Sequence, residues 1–314
     1  MILTVTPNPG FDRTVRIDHL TRGAVLRTTS TLVEPAGKGI NVALATVVNG
    51  GRARAVFPAG AGDREPFEQH LTRAGAEAVA VPITGRVRTN LTVVEADGTT
   101  TKINEAGPTL AADEVDALVA AVRGADEGAR YVVVAGSLPP GVDGAVIDRL
   151  AGALPDPAGR LVVDSSGAAL GAATTASCAL IKPNREELES LVGEPLTTLD
   201  DVVDAARGLL DGGPRAVLVS LGAEGAVLVD ADGAVHGRVS VDGVANTVGA
   251  GDALLAGFLA GGGRGPAALA EALAWARAAV TSPGTVGRPV TDADRAAVHV
   301  ADGVPPRSGS GVAT

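Results

Sequence analysis

The alternation of short apolar runs with longer helical segments is the feature that most constrains the fold of this chain. The runs consist mainly of aliphatic residues, as in 2–6 and 131–136, and such runs are typical of strands covered on both faces. The intervening segments, such as 112–124, repeat apolar residues at the spacing of amphipathic helices. This alternation predicts an α/β fold with a mostly parallel central sheet and helices on both sides. The predicted strands are 2–6, 54–58, 131–136, 160–164, 178–182 and 216–220, and the predicted helices are 40–49, 112–124, 198–210, 250–261 and 266–281.

Two regions depart from this pattern. Residues 13–34 and 86–105 alternate polar with apolar residues, and the second region contains the turn signal Asp97-Gly98 between its two arms. These regions predict a small antiparallel sheet outside the main one. A further hairpin is predicted where 226–230 and 234–241 flank a short turn.

Composition disfavours several kinds of partner. The formal net charge is −10, so long-range attraction to nucleic acid or to an anionic membrane is disfavoured. Four Phe, one Trp and one Tyr are too few to build the stacking platforms of single-strand-binding proteins. We therefore expect no nucleic-acid or membrane partner, and any anionic substrate must be held by local positive groups.

Cysteine usage and the N-terminus indicate the cellular compartment. The single cysteine, Cys178, excludes an intramolecular disulfide framework and a cysteine-built zinc site, and we interpret it as a small buried hydrophobe. The four histidines have no metal-ligand spacing. The N-terminal run has no signal-peptide features, and no apolar stretch reaches the roughly 18 residues of a membrane span. These features predict a soluble, cytoplasmic protein.

The sharpest motif runs from Asn246 to Asp252 (NTVGAGD) and leads directly into an apolar helical segment. Small residues at a helix start leave backbone N–H groups free to hold a phosphate, and the helix dipole favours an anion there. A carboxylate at Asp252 would repel that phosphate unless its task is to take a proton from an attacking hydroxyl group. The alternative is that Asp252 is only a favourable acid in the first turn of a helix. Neither the dinucleotide fingerprint nor the P-loop pattern is matched.

Two other glycine-containing segments lie near predicted strand ends. The segment 36–41 (AGKGIN) places Lys38 and Asn41 at a helix start, where bare glycines let a ligand approach the backbone. A turn with a solvated lysine is the alternative. Asp12 follows the first strand, at the edge where open α/β sheets bind ligands. Its carboxylate could accept hydrogen bonds from sugar hydroxyl groups or could only cap a turn.

Two later strand ends carry candidate nucleotide contacts. Asn184 and Glu187 lie three residues apart, so they share a helix face and could hold a magnesium ion through water. An N-cap with its capping-box glutamate is the better local interpretation of this pair. The segment 220–225 (SLGAEG) suits contact with phosphate or adenosine, and a plain tight turn explains it almost as well.

Taken together, the order of the motifs resembles that of the ribokinase-like sugar kinases of the phosphofructokinase-B type. The motifs are NPGFD, AGKGIN, RTN, NEAGP, GSLPPGV, DSSGAAL, KPNREELE, SLGAEG and NTVGAGDA. The resemblance implies a ribokinase-like three-layer αβα fold with one kinase domain over residues 1–303. It also implies a small lid from residues 13–34 and 86–105, and we predict a disordered tail at 304–314.

The resemblance implies a role for each motif. Asp252 would be the catalytic base, and the anion hole would be formed by the backbone N–H groups of Gly249, Ala250 and Gly251. The phosphosugar would be held by Asp12, Arg27, Gly37, Lys38, Asn41, Arg88, Asn90 and Ser137, with Arg88, Arg27 and Lys38 on its phosphate. Mg²⁺ and the ATP phosphates would be organised by Asn184 and Glu187. The nucleotide would be lined by Ser220, Gly222, Ala223, Glu224 and Gly225.

Within this family the motifs are most similar to those of members that phosphorylate fructose 1-phosphate at its 6-hydroxyl group with MgATP, and the lid implies a homodimer. Members acting on tagatose 6-phosphate or fructose 6-phosphate are the first alternative. A catalytically silent regulator that binds sugar or nucleotide is an alternative of a different class. The chain departs from the family at Gly10, where relatives usually carry alanine, and we expect this glycine to loosen the backbone beside Asp12.

Overall fold

The predicted alternation of strands and helices is present in the structure, a computed structural model in which residues 1–301 are described. The predicted tail, 304–314, and the last two residues of the predicted domain lie outside the described residues. The strands are β1 (Ile2–Val5), β2 (Gly10–Arg16), β3 (Ser30–Ala36), β4 (Ala53–Gly60), β5 (Glu77–Ile83), β6 (Arg88–Val94), β7 (Thr100–Ile103), β8 (Tyr131–Ala135), β9 (Leu161–Asp164), β10 (Leu180–Ile181), β11 (Ala216–Ser220), β12 (Ala226–Asp230), β13 (Gly233–Val239) and β14 (Val298–Val300). The helices are α1 (Lys38–Val48), α2 (Arg64–Ala74), α3 (Ala112–Ala125), α4 (Ala145–Gly152), α5 (Pro157–Arg160), α6 (Gly167–Ala173), α7 (Arg185–Val192), α8 (Leu199–Leu210), α9 (Ala250–Ala260), α10 (Gly265–Val280) and α11 (Asp292–Ala296).

The main sheet has ten strands in the order β14-β13-β12-β11-β10-β9-β8-β1-β4-β5. The seven strands from β11 to β5 pair in parallel. The predicted hairpin β12–β13 and the short strand β14 extend one edge by antiparallel pairing. The mostly parallel sheet predicted from the apolar runs is thus confirmed.

Successive residues of each strand pack into different layers, because side chains alternate across a sheet. In β8, Val132 and Val134 belong to one buried cluster, while Val133 belongs to another. The first cluster includes residues of α3, α4, α6, α7 and α8, and the second includes residues of α9 and α10. This arrangement explains why the strand sequences are continuously apolar, and it confirms the three-layer αβα architecture.

A small second sheet is also confirmed, and its strand order is β3-β2-β6-β7. We call it the lid sheet. Each half is an antiparallel hairpin, and the two halves join through parallel pairing of β2 with β6. In that pairing, Gly10 lies opposite Arg88 and Asp12 lies opposite Asn90. The alternating polarity of both segments is that of a sheet with two unlike faces.

Some elements differ from the sequence-based expectation. The predicted strand 178–182 shrinks to Leu180–Ile181, because only this stretch pairs continuously with its neighbours. The edge strand β5 was not predicted, because only two of its seven residues are buried and the rest lack the buried-strand pattern. Cys178 is fully buried, as expected, and burial raises the pKa of its thiol to about 12. Among the described helices, none combines the length and the apolar character that crossing a bilayer requires.

Candidate active site

Residues from several elements meet at the carboxyl edge of the parallel strands, and they include residues that the sequence did not single out. Asp164 ends β9, Lys182 follows β10, and the starts of α1 and α9 lie at the same edge. Parallel strands direct their carboxyl ends to one side, so residues distant in sequence become neighbours there. The site is therefore built from loop and helix-start positions on a buried scaffold.

The start of α9 supplies a cradle of backbone N–H groups. Gly249 is its N-cap, with φ of 81°, a left-handed conformation that favours glycine. A methyl group at this position would lie 2.3 Å from the carbonyl oxygen of Thr285, so the close packing also requires glycine. The first N–H groups of a helix have no acceptor within it. The N–H of Gly251 therefore suits an anion, whereas that of Ala250 donates a long hydrogen bond of 3.4 Å to the Thr247 carbonyl oxygen. A Cβ at Gly251 would meet only Lys182 Nζ, at 3.6 Å.

Asp252 is the third residue of α9, and it is buried. Its Oδ2 accepts a hydrogen bond of 2.8 Å from Asn41 Nδ2, so a residue of α1 orients the carboxylate. Burial and the nearby Asp164 raise the pKa of Asp252 to about 6, although Lys38 and Lys182 oppose the shift. A carboxylate with this pKa is ionised at neutral pH and can still accept a proton.

An ion-pair cluster lies beside Asp252, and sequence reasoning missed its centre. Asp164 is fully buried, and its Oδ1 accepts a hydrogen bond of 3.0 Å from Lys38 Nζ. Lys182 Nζ lies 3.1 Å from Oδ2 of the same carboxylate, an ionic contact without hydrogen-bond geometry. Burial disfavours the charge on Lys38, but Asp164, Asp252 and Glu187 together raise the pKa of Lys38 above its ordinary value. Lys38 is thus held as a cation at the site.

The glycines around Lys38 have a packing role in the structure. A methyl group at Gly37 would lie 2.6 Å from Thr6 Cγ2, and one at Gly39 would lie 2.5 Å from Thr6 Oγ1. The space beside both glycines is therefore filled by the residue after β1. These glycines let α1 begin close against the sheet, which places Lys38 and Asn41 in the site.

The lid sheet brings Asp12 and Asn90 together. Asn90 Nδ2 donates a hydrogen bond of 3.0 Å to Asp12 Oδ1. Arg88 lies on the same strand as Asn90 and two residues before it, so both face the same side of the sheet. Ser137 meets the site from the main body, where its hydroxyl oxygen lies 3.3 Å from Asn8 Nδ2.

Arg27 is not brought to this group. It lies in the exposed connection between β2 and β3, and no hydrogen bond or ion pair joins it to another residue within 1–301.

Asn184 and Glu187 form the capping box that was the better local interpretation. Asn184 Oδ1 accepts from the backbone N–H of Glu187 at 2.8 Å, and Glu187 Oε2 accepts from that of Asn184 at 2.9 Å. The cap does not remove Glu187 from the site, since its charge contributes to the raised pKa of Lys38. The same carboxylate therefore caps α7 and faces the ion-pair cluster.

The segment 220–225 forms a tight turn next to Asn184. A single β-bridge pairs Ser220 with Asn184, and Gly222–Glu224 makes one turn of 3₁₀ helix. Gly225 has φ of 92°, and a methyl group there would lie 2.0 Å from the carbonyl oxygen of Gly237. The Glu224 side chain turns away to pair with Arg185 at 3.0 Å. The backbone of this turn, rather than the Glu224 carboxylate, is what borders Asn184.

The donor set fits a magnesium ion that arrives with a nucleotide. Within residues 1–301, no three His, Cys, Asp or Glu side chains form a group that could cage a metal ion. Magnesium bound to phosphate oxygens keeps several waters and needs only one or two carboxylates. Glu187 commits Oε2 to its helix cap, which leaves Oε1 for a hydrated ion.

Comparison with known proteins gives consistent results. The profile of the pfkB family carbohydrate kinases matches residues 11–292. A 1-phosphofructokinase from Haloferax volcanii is 38% identical over 262 residues, which cover 83% of each chain. The ATP-dependent 6-phosphofructokinase isozyme 2 of Escherichia coli is 37% identical, with 81% of this chain and 83% of the relative covered. The crystal structure of phosphofructokinase-2 from Escherichia coli with potassium superposes with a TM-score of 0.85 at 33% identity, over 94% of this chain and 96% of the other.

Proposed function

The chain belongs to the pfkB family of carbohydrate kinases, and from that premise we propose that it transfers the γ-phosphoryl group of ATP to the 6-hydroxyl group of fructose 1-phosphate. The observation that carries the proposal is the buried Asp252 carboxylate at the start of α9, oriented by Asn41 and faced by two lysines. The choice of sugar is supported by relatives named 1-phosphofructokinase at 31–38% identity.

Asp252 acts as the general base. Its carboxylate takes the proton from the attacking hydroxyl group as the oxygen forms a bond to the γ-phosphorus, and the bond from that phosphorus to the bridging oxygen breaks to release ADP. Asn41 keeps one carboxylate oxygen engaged, so the carboxylate is aimed before the sugar binds. This positioning replaces a random encounter of base and hydroxyl group.

Positive charge at the transferred group comes from two sources in the proposal. The backbone N–H groups of Gly249, Ala250 and Gly251 would receive the phosphoryl oxygens at the positive end of the α9 dipole. Lys182 and Lys38 add fixed cations, which Asp164 holds in place. In a chain of net charge −10, these local groups offset the long-range repulsion of a phosphorylated substrate.

The sugar and its phosphate are assigned to the lid side of the site. Asp12 and Asn90 would bind sugar hydroxyl groups, helped by Gly37, Asn41 and Ser137. Arg88 would grip the phosphate that the sugar already carries, and Arg27 is its proposed helper. Lys38 was expected to help there, but it pairs with Asp164 beside Asp252, so it is assigned to the transferred phosphoryl group instead. Arg27 reaches this position only if the exposed connection between β2 and β3 moves, or if it comes from a second copy of the chain.

The nucleotide is assigned to the opposite side. Asn184 and Glu187 would hold a hydrated magnesium ion with the ATP phosphates, and Ser220, Gly222, Ala223, Glu224 and Gly225 would line the nucleotide. Magnesium bound with ATP neutralises the charge of the β- and γ-phosphates during transfer. Because ATP and sugar phosphates are charged metabolites of the cytoplasm, we place the reaction there.

A homodimer formed through the lid sheet is part of the proposal. Among the exposed large hydrophobic side chains of residues 1–301, all but Val244 lie in the lid sheet or in the connection between β2 and β3: Leu20, Val25, Leu26, Leu32, Val33 and Ile103. Val33 and Ile103 share one row of the sheet, on either side of Arg13 and Leu91. Exposed apolar side chains concentrated in one part of a protein are typical of a protein–protein interface.

A second candidate substrate is fructose 6-phosphate, because a relative named 6-phosphofructokinase is 37% identical over most of the chain. The deciding experiment measures ADP release by the purified protein with fructose 1-phosphate, fructose 6-phosphate, tagatose 6-phosphate and free fructose. We expect the highest kcat/KM with fructose 1-phosphate. An Asp252→Asn protein purified in the same way is the control for contaminating kinases.

The outcomes separate the alternatives. No turnover with any phosphosugar would contradict the kinase proposal and favour a silent regulator. A preference for free fructose would contradict the role of Arg88. Faster turnover of fructose 6-phosphate or tagatose 6-phosphate would keep the chemistry and replace the substrate.

A further inference from the structure

Asp63 joins the main body of the molecule to the segment that leads into Arg88. It follows β4 and is the N-cap of α2, and its side chain is only 2% exposed. Its Oδ2 accepts a hydrogen bond of 3.0 Å from the backbone N–H of Val87, and its Oδ1 accepts one of 2.7 Å from Arg86 Nη2. A buried carboxylate of the main body therefore holds two consecutive residues of the chain that enters the lid sheet.

The ordinary task of an aspartate at a helix start does not explain Asp63. An aspartate at the N-cap usually accepts a hydrogen bond from a backbone N–H group in the first turn of its own helix. Asp63 makes no such bond, and its carboxylate turns to Arg86 and Val87 instead. The start of α2 thus forgoes the stabilisation that this residue type usually supplies.

The bond to Val87 matters more for position than the bond to Arg86. The Arg86 side chain is 83% exposed, and exposed ion pairs contribute little. The Val87 N–H is buried, and within residues 1–301 it has no other acceptor. A buried N–H left unpaired is costly. Without the carboxylate, the chain at Val87 would have to move toward water.

Arg88 lies directly after this anchor and is the first residue of β6. On its other side, the backbone N–H of Thr89 donates a hydrogen bond of 2.8 Å to Glu105 Oε2, but Glu105 belongs to the chain that leaves the lid sheet after β7. Glu114 of α3 holds the same crossing from the main body, but at the N–H of Thr84, four residues before Arg88. Asp63 is therefore the main-body contact that determines where Arg88 lies relative to the catalytic residues.

The guanidinium of Arg88 is held with unused hydrogen-bonding capacity. Its Nε is buried without a hydrogen-bond partner, and its Nη1 donates only a long bond of 3.3 Å to the Glu105 carbonyl oxygen. Burial lowers the pKa of Arg88, and attraction by Asp12 offsets this only in part. An anion at this position would restore hydrogen bonds and balance the charge.

We propose that Asp63 is a positioning residue for the sugar phosphate, which fixes the Arg88 guanidinium relative to Asp252 by holding the Val87 N–H. The inference rests on the proposed role of Arg88 as the phosphate-binding residue. A sugar that carries a phosphate at one end and the reacting hydroxyl group at the other needs both ends placed at once. An Arg88 that is free to shift meets the phosphate in the required hydrogen-bond geometry less often.

The test is a double-mutant cycle of Asp63→Ala and Arg88→Ala. We expect Asp63→Ala to raise the KM for fructose 1-phosphate about tenfold, while the KM for ATP stays within about twofold. In the Arg88→Ala background, the same substitution should leave the KM for fructose 1-phosphate unchanged, because the guanidinium is already absent. KM does not depend on the amount of active enzyme, so partial unfolding of a variant does not mimic this result.

Asp63→Asn separates the hydrogen bond from the charge. The amide keeps an oxygen that can accept from the Val87 N–H, but it lacks the negative charge that pairs with Arg86. We therefore expect the KM for fructose 1-phosphate to stay within about threefold of the wild-type value. A KM as high as that of Asp63→Ala would assign the effect to the ion pair with Arg86 and overturn the proposal.

Asp126→Ala is the matched control. Asp126 also accepts from a backbone N–H, that of Ala129 at 3.2 Å, and from an arginine, Arg160. Its side chain is 7% exposed. Ala129 and Arg160 precede β8 and β9, so these contacts lie at the edge of the sheet opposite the site. This variant should lower the midpoint of thermal unfolding and leave every KM unchanged.

The failures are distinguishable. If Arg88→Ala leaves the KM for fructose 1-phosphate unchanged, the phosphate site of the proposed function is wrong. If Arg88→Ala raises this KM but Asp63→Ala does not, only the role of Asp63 is wrong. An equal effect of Asp63→Ala in both backgrounds, or failure of Asp63→Ala to fold, would assign Asp63 to the stability of the fold and overturn the proposal.

Discussion

At the scale of single residues, Asp252 shows how burial and neighbouring charge set the properties of one carboxylate. Burial and Asp164 make the carboxylate a stronger base, whereas Lys38 and Lys182 keep it ionised at neutral pH. Its pKa of about 6 is high enough to make it a stronger base than an ordinary aspartate and low enough to leave it ionised at neutral pH. A surface aspartate would also be ionised, but it would be a weaker base.

The pH dependence of activity should follow this pKa. The base must be unprotonated, so kcat/KM, which reports the pKa values of the free enzyme, should rise as pH increases through about 6 and then level off. Phosphate groups also titrate near pH 6, so the profile of Asp252→Asn serves as the reference. Assays between about pH 5 and pH 9 should show the inflection when the wild-type rate is divided by the Asp252→Asn rate at each pH.

The same variant tests the magnitude of the base contribution. Asp252→Asn should lower kcat by a factor on the order of 10² to 10⁴, while the affinity for ATP measured by calorimetry is retained. A variant with normal turnover, or a ratio that does not change with pH, would contradict the assignment of Asp252.

Sequence reasoning identified some of these residues and missed others for a physical reason. Asp252 and Lys38 stand out because glycines flank them at helix starts. Asp164 does not stand out, because a single charged residue at the end of a buried strand is common and carries no signal of its own. Its importance arises from contact with Lys38, which is 126 positions away in the chain. Only the assembled sheet shows that contact.

At the scale of elements, the start of α9 is supported by the segment that follows α10. The carbonyl oxygen of Thr285 packs against Gly249, and the backbone N–H of Arg288 is bound by Ser282 Oγ at 3.1 Å. The far end of the segment is tied to Asp294, which is fully buried. Its carboxylate accepts from Arg288 Nη1 at 2.6 Å and from Arg277 Nη1 at 2.5 Å. The proposed anion hole thus depends on an ion-pair cluster outside the site.

Removing that buried charge should destabilise the protein. Asp294→Asn leaves two arginines without their buried partner, so we expect the free energy of unfolding at pH 7 to fall by about 3 kcal/mol in urea titrations. Asp292→Asn is the matched control on the same helix, because Asp292 is fully exposed and makes only a 3.4 Å contact with Arg295. The control should change the free energy of unfolding by less than about 0.5 kcal/mol.

The sign of the pH dependence follows from the same contacts. The Arg288 guanidinium, together with Thr291 and Arg277, holds the pKa of Asp294 well below its ordinary value. The stabilisation is therefore complete above the unfolded-state pKa of about 4 and is lost as pH falls toward the lower folded-state pKa. The difference in unfolding free energy between the wild type and Asp294→Asn should shrink as pH falls below about 4, and a difference that grows there would contradict this account.

Helix caps carry a local sequence signal that the edge strand β5 lacks. The pairs Asn184–Glu187 and Thr198–Asp201 form capping boxes, which are local in sequence and so can be recognised from it. The edge strand β5 depends on its pairing with β4 and carries no comparable local signal.

At the scale of the whole molecule, the exposed apolar residues of the lid sheet lead to a prediction about assembly. Val33→Asp combined with Ile103→Asp places charge on the face proposed to join two copies. We expect wild-type protein to have about twice the 31.0 kDa chain mass in light scattering after gel filtration, and the double variant to have the single-chain mass. Val244→Asp is the control, since Val244 is exposed to 61% but lies outside the lid sheet. A wild-type protein of single-chain mass, or an unchanged double variant, would contradict the lid-mediated dimer.

The overall architecture was largely predictable, because buried strands and amphipathic helices are encoded by local periodicity. The two-part origin of the lid sheet was also visible in the alternation of 13–34 and 86–105. Local sequence patterns could not predict the parallel pairing of β2 with β6. This pairing joins segments about 78 positions apart, as in Asp12 and Asn90.

That joining has a mechanical consequence. The lid sheet meets the main body at four chain crossings, near residues 6–9, 37, 84–87 and 104–111. A ladder of hydrogen bonds spans all four strands, so one hairpin cannot swing while the other stays still. Asp12 on β2 and Arg88 on β6 must therefore move together, as parts of one rigid body. Such a rigid body would contact the ring and the phosphate of a sugar at the same time, and would release them together.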